Sequence, residues 1–141
     1  MRGVTVAMLA AWLAACGAAM PKSTAEKLQE AVYEYNRALR WGNIDSAAAY
    51  LPVADRPAFL KEHKGDSTVI MGADVLAVEP DYDRNVAEVT VIYEWRAPDG
   101  ITVNATRIRQ LWQYDDDAWR LVSRQEVKGE PRERRDPASR F

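Results

Sequence analysis

Cysteine and histidine are almost absent from this chain, and their scarcity excludes several kinds of chemistry. The 141 residues include one cysteine, Cys16, and one histidine, His63. A single cysteine cannot form an internal disulfide, so a domain built from this chain must depend on its hydrophobic core. Structural zinc sites take about four ligands, mostly cysteine and histidine, and a cysteine nucleophile needs a nearby base. We therefore expect neither a metal nor a cofactor.

Long apolar runs and an excess of positive charge are also missing. The most extended apolar run, from Val4 to Ala15 with Thr5 as its exception, is well short of the ~20 residues that a membrane-spanning helix needs. The formal net charge is -2, and no basic stripe suggests binding to nucleic acid. No glycine-rich phosphate loop is present, and the acidic turn 115–117 lacks the ligand spacing of a calcium-binding loop.

The first residues have the layout of a secretory signal peptide. Arg2 precedes the apolar run, and small residues follow it, so we predict that residues 1–15 are a signal peptide. Leu13-Ala14-Ala15-Cys16 resembles the lipobox of bacterial lipoproteins, in which the cysteine receives diacylglycerol and becomes the first residue of the mature protein. The alternative is that an ordinary signal peptidase cleaves nearby, which would release a secreted domain with an unmodified Cys16.

The lipobox resemblance implies how the protein is attached to a membrane. Cys16 would carry acyl chains such as palmitate, and two or more chains on one residue give stable anchoring without a spanning helix. Gly17, rather than an acidic residue, follows the cysteine, and the sorting preference of such lipoproteins then favours the outer over the inner membrane. We expect a periplasm-facing lipoprotein of the cell envelope, with residues 16–22 as a lipidated tether.

The first half of the chain after the tether predicts helices. Ser23 and Glu26 form a capping box, and an apolar stripe with helical spacing follows it. This stripe consists of Leu28, Ala31, Val32, Tyr35 and Leu39. The first helix should end near Gly42. Two short helices are predicted next, Ser46–Leu51 capped by Asp45, and one after Asp55 with Phe59 and Leu60 facing inward.

After Asp66 the apolar period changes to 2 and predicts four strands. The second strand has the clearest alternation, with Ala87, Val89, Val91, Tyr93 and Trp95 on one face. A third strand, Ile101–Tyr114, changes its apolar parity, which predicts a β-bulge or a sharp bend near Thr106. Residues 129–141 are charged and interrupted by proline, and are expected to be disordered.

The order of elements defines an α+β fold class. N-terminal helices can bury their apolar faces only by packing into a strongly bent four-stranded antiparallel sheet, which makes a cone spanning residues 23–128. This order resembles the cystatin-like, nuclear transport factor 2-like superfamily, which includes SnoaL-like cyclases, ketosteroid isomerase and exported bacterial domains. The pieces most similar to it are the first helix leading into Trp41-Gly42-Asn43 and the closing hairpin from Leu111 to Ser123.

An enzyme of this superfamily needs a general base inside the cone. None of the inward positions of the second strand supplies one, so the weak catalytic candidates are Asp74 and His63. Each has an ordinary structural explanation, as an outward carboxylate on a strand or as an imidazole near a helix C-terminus. Tyr35, Tyr93 and Trp95 are candidates for contacts with a ligand.

The outer face of the sheet is the candidate surface for a protein partner. Charged residues of both signs are predicted there, with Ile92 at the centre as an apolar anchor. They are Glu88, Glu94, Arg96, Arg107, Arg109, Arg120, Arg124 and Glu126. The resemblance implies a homodimer through this face or an envelope partner. Our preferred hypothesis is a lipid-anchored, non-catalytic binding domain for a partner protein or a small apolar ligand. The alternative is a small cofactor-free lyase or isomerase.

Overall fold

Three helices precede a four-stranded antiparallel sheet in the computed structural model, which describes residues 21–128. The elements are α1 (Thr24–Arg40), α2 (Ile44–Ala48), α3 (Arg56–His63), β1 (Val69–Asp81), β2 (Val86–Arg96), β3 (Asn104–Asp115) and β4 (Ala118–Glu126), with a 3-10 turn (Val53–Asp55) leading into α3. Each strand pairs with the next along the chain. The predicted signal peptide, Cys16 and the charged tail lie outside the described residues. None of the helices within residues 21–128 has the length and apolarity to cross a membrane.

The capping box at the start of α1 is confirmed. Ser23 Oγ accepts a hydrogen bond from the Glu26 amide at 3.2 Å, and the Ser23 amide donates to Glu26 Oε2 at 2.7 Å. The helix ends before Gly42, whose φ of 70° lies in the left-handed region. The predicted stripe of α1 is buried, so this helix lies across the sheet with its apolar face inward.

The inner face of the sheet forms the other half of the core. Ala87, Val89, Val91 and Tyr93 of β2 are buried as predicted. Trp112 of β3 and two residues of β4, Trp119 and Leu121, complete the buried row. The aromatic rings meet edge to face, with 5.7 Å between the ring centroids of Tyr35 and Trp112. Helices packed into an antiparallel sheet confirm the predicted fold class.

Of the two features predicted as alternatives near Thr106, the β-bulge is absent. The pairing of β2 with β3 runs without interruption from Val86 opposite Gln113 to Trp95 opposite Asn104. Ile101 and Val103 precede β3 and are exposed, so two of the three residues that suggested a change of parity belong to the loop. A buried polar residue, Gln110, also interrupted the apolar pattern between Ile108 and Trp112.

The helical layer differs from the predictions at two points. The second helix is Ile44–Ala48 rather than Ser46–Leu51, because Asn43 caps it by accepting a hydrogen bond from the Ser46 amide at 3.3 Å. Leu60, which we expected to face inward with Phe59, is 37% exposed, while Phe59 is buried. A helix as short as α3 turns only one narrow side towards the sheet.

The strand register shifts at other places, after Ile70 and after Val75 in β1 and at a β-bulge in β4. Leu111 pairs with Ser123, but Trp112 pairs with Leu121, so Val122 is an extra residue. Beyond the bulge the parity of β4 reverses, and Arg124 lies opposite Gln110 in the inner row. Glu126 lies in the same row, opposite Ile108. The prediction that Arg124 and Glu126 belong to the outer face is therefore wrong.

A cluster of hydrogen-bonded polar side chains lies in the centre of the cone. We call Asn36, Tyr93, Gln110 and Trp112 the amide cluster. Asn36 Oδ1 accepts from the Tyr93 hydroxyl and, at 2.8 Å, from Gln110 Nε2. Gln110 Oε1 accepts from Trp112 Nε1 at 3.1 Å, and Asn36 Nδ2 donates to the Val32 carbonyl oxygen at 2.7 Å. Each of the four side chains therefore has a partner within the protein.

Replacing the central amide should weaken the fold. Gln110→Met keeps the side-chain length but leaves the Trp112 indole N–H without its acceptor, so we expect the free energy of unfolding to fall by about 1–3 kcal/mol. Gln113→Met, at an exposed position of the same strand, is the matched control and should change it by less than about 0.5 kcal/mol. Urea unfolding measures both values. Equal stability of the two variants would contradict a structural role for Gln110.

Candidate functional site

A pocket opens at the mouth of the cone, where the inner rows of β1, β2 and β3 emerge from the core. We call it the mouth pocket. It has a volume of about 270 Å³ and is lined by Thr68, Ile70, Tyr93, Trp95, Thr106 and Ile108. Strand register assembles these walls, because Ile70 pairs with Trp95 and Thr106 pairs with Tyr93. Two of the predicted ligand contacts, Tyr93 and Trp95, are thus brought together.

The polar groups around the mouth pocket are largely engaged within the protein. The indole N–H of Trp95 donates to Thr106 Oγ1 at 2.9 Å. The Tyr93 hydroxyl belongs to the amide cluster, and burial raises its pKa. A neutral, hydrogen-bonded phenol cannot act as a base at physiological pH. The remaining wall consists of Ile70 on β1, Ile108 on β3 and the polar residue Thr68.

Tyr35, the third predicted ligand contact, lies deeper in the core. Its ring is completely buried against Trp112 and Tyr50. Its hydroxyl has no hydrogen-bond partner among the described residues. Burial raises the pKa of Tyr35 to about 12, although the nearby Arg124 guanidinium acts in the opposite direction. The hydroxyl is therefore protonated at neutral pH and can donate.

The two weak catalytic candidates lie away from the mouth pocket. Asp74 is exposed on β1, where it pairs with Ile92. His63 is at the end of α3, and its Nδ1 is 2.9 Å from the Phe59 carbonyl oxygen, a suitable geometry for a donated hydrogen bond. Its ring centroid is 4.3 Å from that of Phe59. Neither residue lines the mouth pocket.

The outer face of the sheet carries the predicted mixture of charges. Ile92 is half-buried there, with Asp74 and Arg107 at the paired positions on either side. One of the predicted cross-strand ion pairs is formed, with 3.0 Å between Arg109 Nε and Glu88 Oε1. Both side chains are substantially exposed, so this pair adds little stability.

Sequence reasoning missed a second group, between α3 and β4. The Arg124 guanidinium carbon lies 4.9 Å from the ring centroid of Phe59, and its Nη2 is 3.1 Å from Glu62 Oε2. No local signal at Val122 indicates the bulge that places Arg124 there. Gln110 was also missed, although the sequence contained a signal for its burial. It lies midway between Ile108 and Trp112, at the two-residue spacing of an inward-facing row.

Within residues 21–128, no group of three or more acidic, cysteine or histidine side chains is placed to hold a metal ion.

Comparison with solved structures defines the class of fold. The chain is similar to a nuclear transport factor 2-like protein of unknown function from Shewanella oneidensis, with a TM-score of 0.57, 8% identity, and 74% of this chain and 98% of that one covered. A nuclear transport factor 2-like protein from Cytophaga hutchinsonii gives a TM-score of 0.57 at 10% identity, covering 75% and 100%. TraE in complex with 2-(2-furyl)isonicotinic acid gives a TM-score of 0.51 at 12% identity, covering 73% and 93%.

These likenesses show that the chain has the nuclear transport factor 2-like fold. At such low sequence identity the likenesses establish the fold and not the function, because proteins that share one fold have many functions. No protein-family model matches the sequence, and no match was found among curated proteins. Function must therefore be argued from the sites.

Proposed function

We propose that this protein is a lipid-anchored component of the bacterial cell envelope whose cone binds a small apolar ligand in the mouth pocket without catalysis. The observation that carries the proposal is the chemistry of that pocket. Its walls are mostly apolar, and the polar atoms of Tyr93, Trp95 and Thr106 have hydrogen-bond partners within the protein. Such a site recognises shape and apolar surface. The TraE complex supports small-molecule binding by this fold.

The alternative, a cofactor-free lyase or isomerase, is less favoured by the geometry. A general base must come within about 3 Å of the proton that it removes, directly or through one water. Asp74 is on the outer face and His63 is turned towards the Phe59 carbonyl oxygen. A non-catalytic binding role needs no such group.

The proposed anchor sets the distance between the domain and the membrane. Helix α1 begins at Thr24, eight residues after Cys16, and a chain of that length spans about 29 Å at most. The ion pair between Lys22 and Glu30 holds the end of the tether against α1, with 2.5 Å between Nζ and Oε2. An anchored domain would therefore stay close to the membrane surface.

Changing the lipobox cysteine should release the protein. In the native host we expect the mature chain to begin at Cys16 and to carry acyl chains, whereas Cys16→Ser should yield an unlipidated chain in the soluble fraction. Mass spectrometry of the intact N-terminal peptide, with fractionation of the envelope, measures both. A wild-type chain that begins beyond Cys16 without lipid would contradict the anchor.

A charge in the mouth pocket should abolish ligand binding. Ile70→Glu places a carboxylate in an apolar wall, and we expect the affinity for a neutral probe such as cyclohexanol to fall about tenfold or more. The exposed neighbour Met71 provides the matched control, since Met71→Glu should bind as the wild type does. Titration followed through the Trp95 indole N–H resonance gives the affinity. Saturable binding that Ile70→Glu leaves unchanged would place the ligand elsewhere.

The mixture of charges on the outer face of the sheet supports a second role for that face, as the interface of a homodimer. Acidic and basic residues alternate around Ile92 there, and a two-fold contact between identical faces can then pair opposite charges. Asp74 and Arg107, at the paired positions flanking Ile92, give the face both signs at its centre. The same geometry would also suit an envelope partner with mixed charge.

Substituting the apolar centre of that face should separate the proposed dimer. We expect Ile92→Glu to weaken self-association about tenfold or more, because it buries an unpaired charge at the interface. Tyr33→Glu, on an exposed position of α1, controls for added negative charge. Analytical ultracentrifugation measures the association, and circular dichroism verifies the fold. If all three proteins sediment alike, the dimer proposal fails.

A further inference from the structure

A separate pocket lies at the β4 bulge and shares no lining residue with the mouth pocket. This pocket, which we call the Arg124 pocket, has a volume of about 240 Å³ and lies between α3 and β4. Arg124 supplies its cationic group, held by the face of Phe59 and by Glu62. Leu51, Ala58 and Leu121 contribute apolar surface beside it. A positive group against an apolar wall is an arrangement that suits an amphipathic anion.

The ion pair in this pocket is unequal in its burial. The Arg124 side chain is 29% exposed, whereas the Glu62 side chain is 66% exposed. Glu62 can therefore move into water at little cost, because an exposed carboxylate keeps most of its hydration. Arg124 cannot do so without leaving the ring of Phe59. Glu62 thus behaves as a replaceable counter-ion, and Arg124 as the fixed member of the pair.

The Tyr35 hydroxyl is a buried neighbour of Arg124 that does not line the pocket. It makes no hydrogen bond of ordinary geometry to the described residues. The Arg124 guanidinium is nevertheless close enough to lower its pKa, through charge and hydrogen bonding, against the effect of burial. Arg124 is therefore the group of this pocket that can donate to an oxyanion.

We propose that the Arg124 pocket binds a small organic carboxylate, whose carboxylate group takes the place of Glu62 on Arg124 and whose apolar part lies against Phe59 and Leu121. The planar guanidinium matches a carboxylate in two parallel hydrogen bonds. The pocket is smaller than the roughly 300–1,000 Å³ of sites for drug-sized molecules, so the ligand is small. Asp55 lies exposed at the rim, where salt screens its repulsion of an entering anion. This site goes beyond the apolar ligand proposed for the mouth pocket.

The test compares a carboxylate with its neutral amide. The full chain carrying Cys16→Ser is titrated with hexanoate and with hexanamide, and binding is followed through the Arg124 side-chain and Ser123 amide resonances. We expect hexanoate to bind about tenfold more tightly than hexanamide. Arg124→Gln should weaken hexanoate binding about tenfold or more and remove the preference. If hexanoate and hexanamide bind equally well to the parent protein, the proposal is overturned.

Two further variants separate recognition from stability. Glu62→Gln removes the competing carboxylate, so hexanoate should bind about threefold more tightly. Tyr35→Phe should change hexanoate binding by less than about twofold, because the hydroxyl does not line the pocket. Weaker binding by Glu62→Gln, or a loss of binding in Tyr35→Phe as large as that in Arg124→Gln, would contradict the arrangement. If Arg124→Gln does not fold, Arg124→Lys replaces it, and an undiminished affinity in that variant would overturn the proposal.

Matched controls lie on the outer face. Arg109 and Glu88 form an exposed ion pair with a similar distance, so Arg109→Gln and Glu88→Gln should leave hexanoate binding unchanged. If either changes it as much as Arg124→Gln does, the effect is one of overall charge and the site is rejected. Ile70→Glu, which tests the mouth pocket, should also leave hexanoate binding unchanged. The two proposals can therefore fail separately.

Discussion

The hydrogen bonds of the amide cluster join the helical layer to the sheet and determine how the two fit together. Asn36 projects from α1 between the apolar residues of its stripe, and it bonds to Tyr93 of β2 and Gln110 of β3. Apolar packing alone would let a helix slide or rotate on a sheet, whereas a buried polar pair is satisfied in one register. The free-energy cost of removing these polar groups from water is offset only when each group has its hydrogen-bond partner.

The positions of the two proposed pockets depend on the amide cluster. Because the Tyr93 hydroxyl is held by the amide cluster, the mouth pocket beyond it keeps a largely apolar wall. Because Gln110 lies in the inner row of β3, the residue opposite it in β4 also faces inward, and after the bulge that residue is Arg124. The same sheet thus contributes to an apolar site at the mouth of the cone and to a cationic site between α3 and β4. Its outer face presents Ile92 among charges of both signs.

The sequence predicted the regular parts of this structure and missed the irregular ones. The capping box at Ser23 and the alternation from Ala87 to Tyr93 are local patterns, and local patterns determine local structure. The bulge at Val122 is not local, since it exists only in the pairing of β4 with β3. Arg124 was consequently assigned to the wrong face. Gln110 was overlooked because a buried glutamine needs partners from α1, and these are far away in sequence.

The candidate sites show the same division. Tyr93 and Trp95 were found because they continue a clear inward row, and the structure places both in the mouth pocket. Asp74 and His63 were chosen by residue type, and the structure places them away from that pocket. Phe59 was expected to face inward, but its partnership with Arg124 depends on the bulge. In this chain, the inward-facing positions of a strand pattern therefore located pocket residues better than the choice of titratable residue types did.

The most direct measurement of the central claim is hydrogen exchange at the indole N–H of Trp112. We hold that the amide cluster is a closed structural element, with function confined to the pockets around it. Trp112 is completely buried and donates to Gln110, so its indole hydrogen should exchange only through global unfolding. The free energy from exchange should then equal that from denaturant unfolding. Exchange through a local opening of much lower free energy would contradict the account, because water and ligands would then reach the centre of the cone.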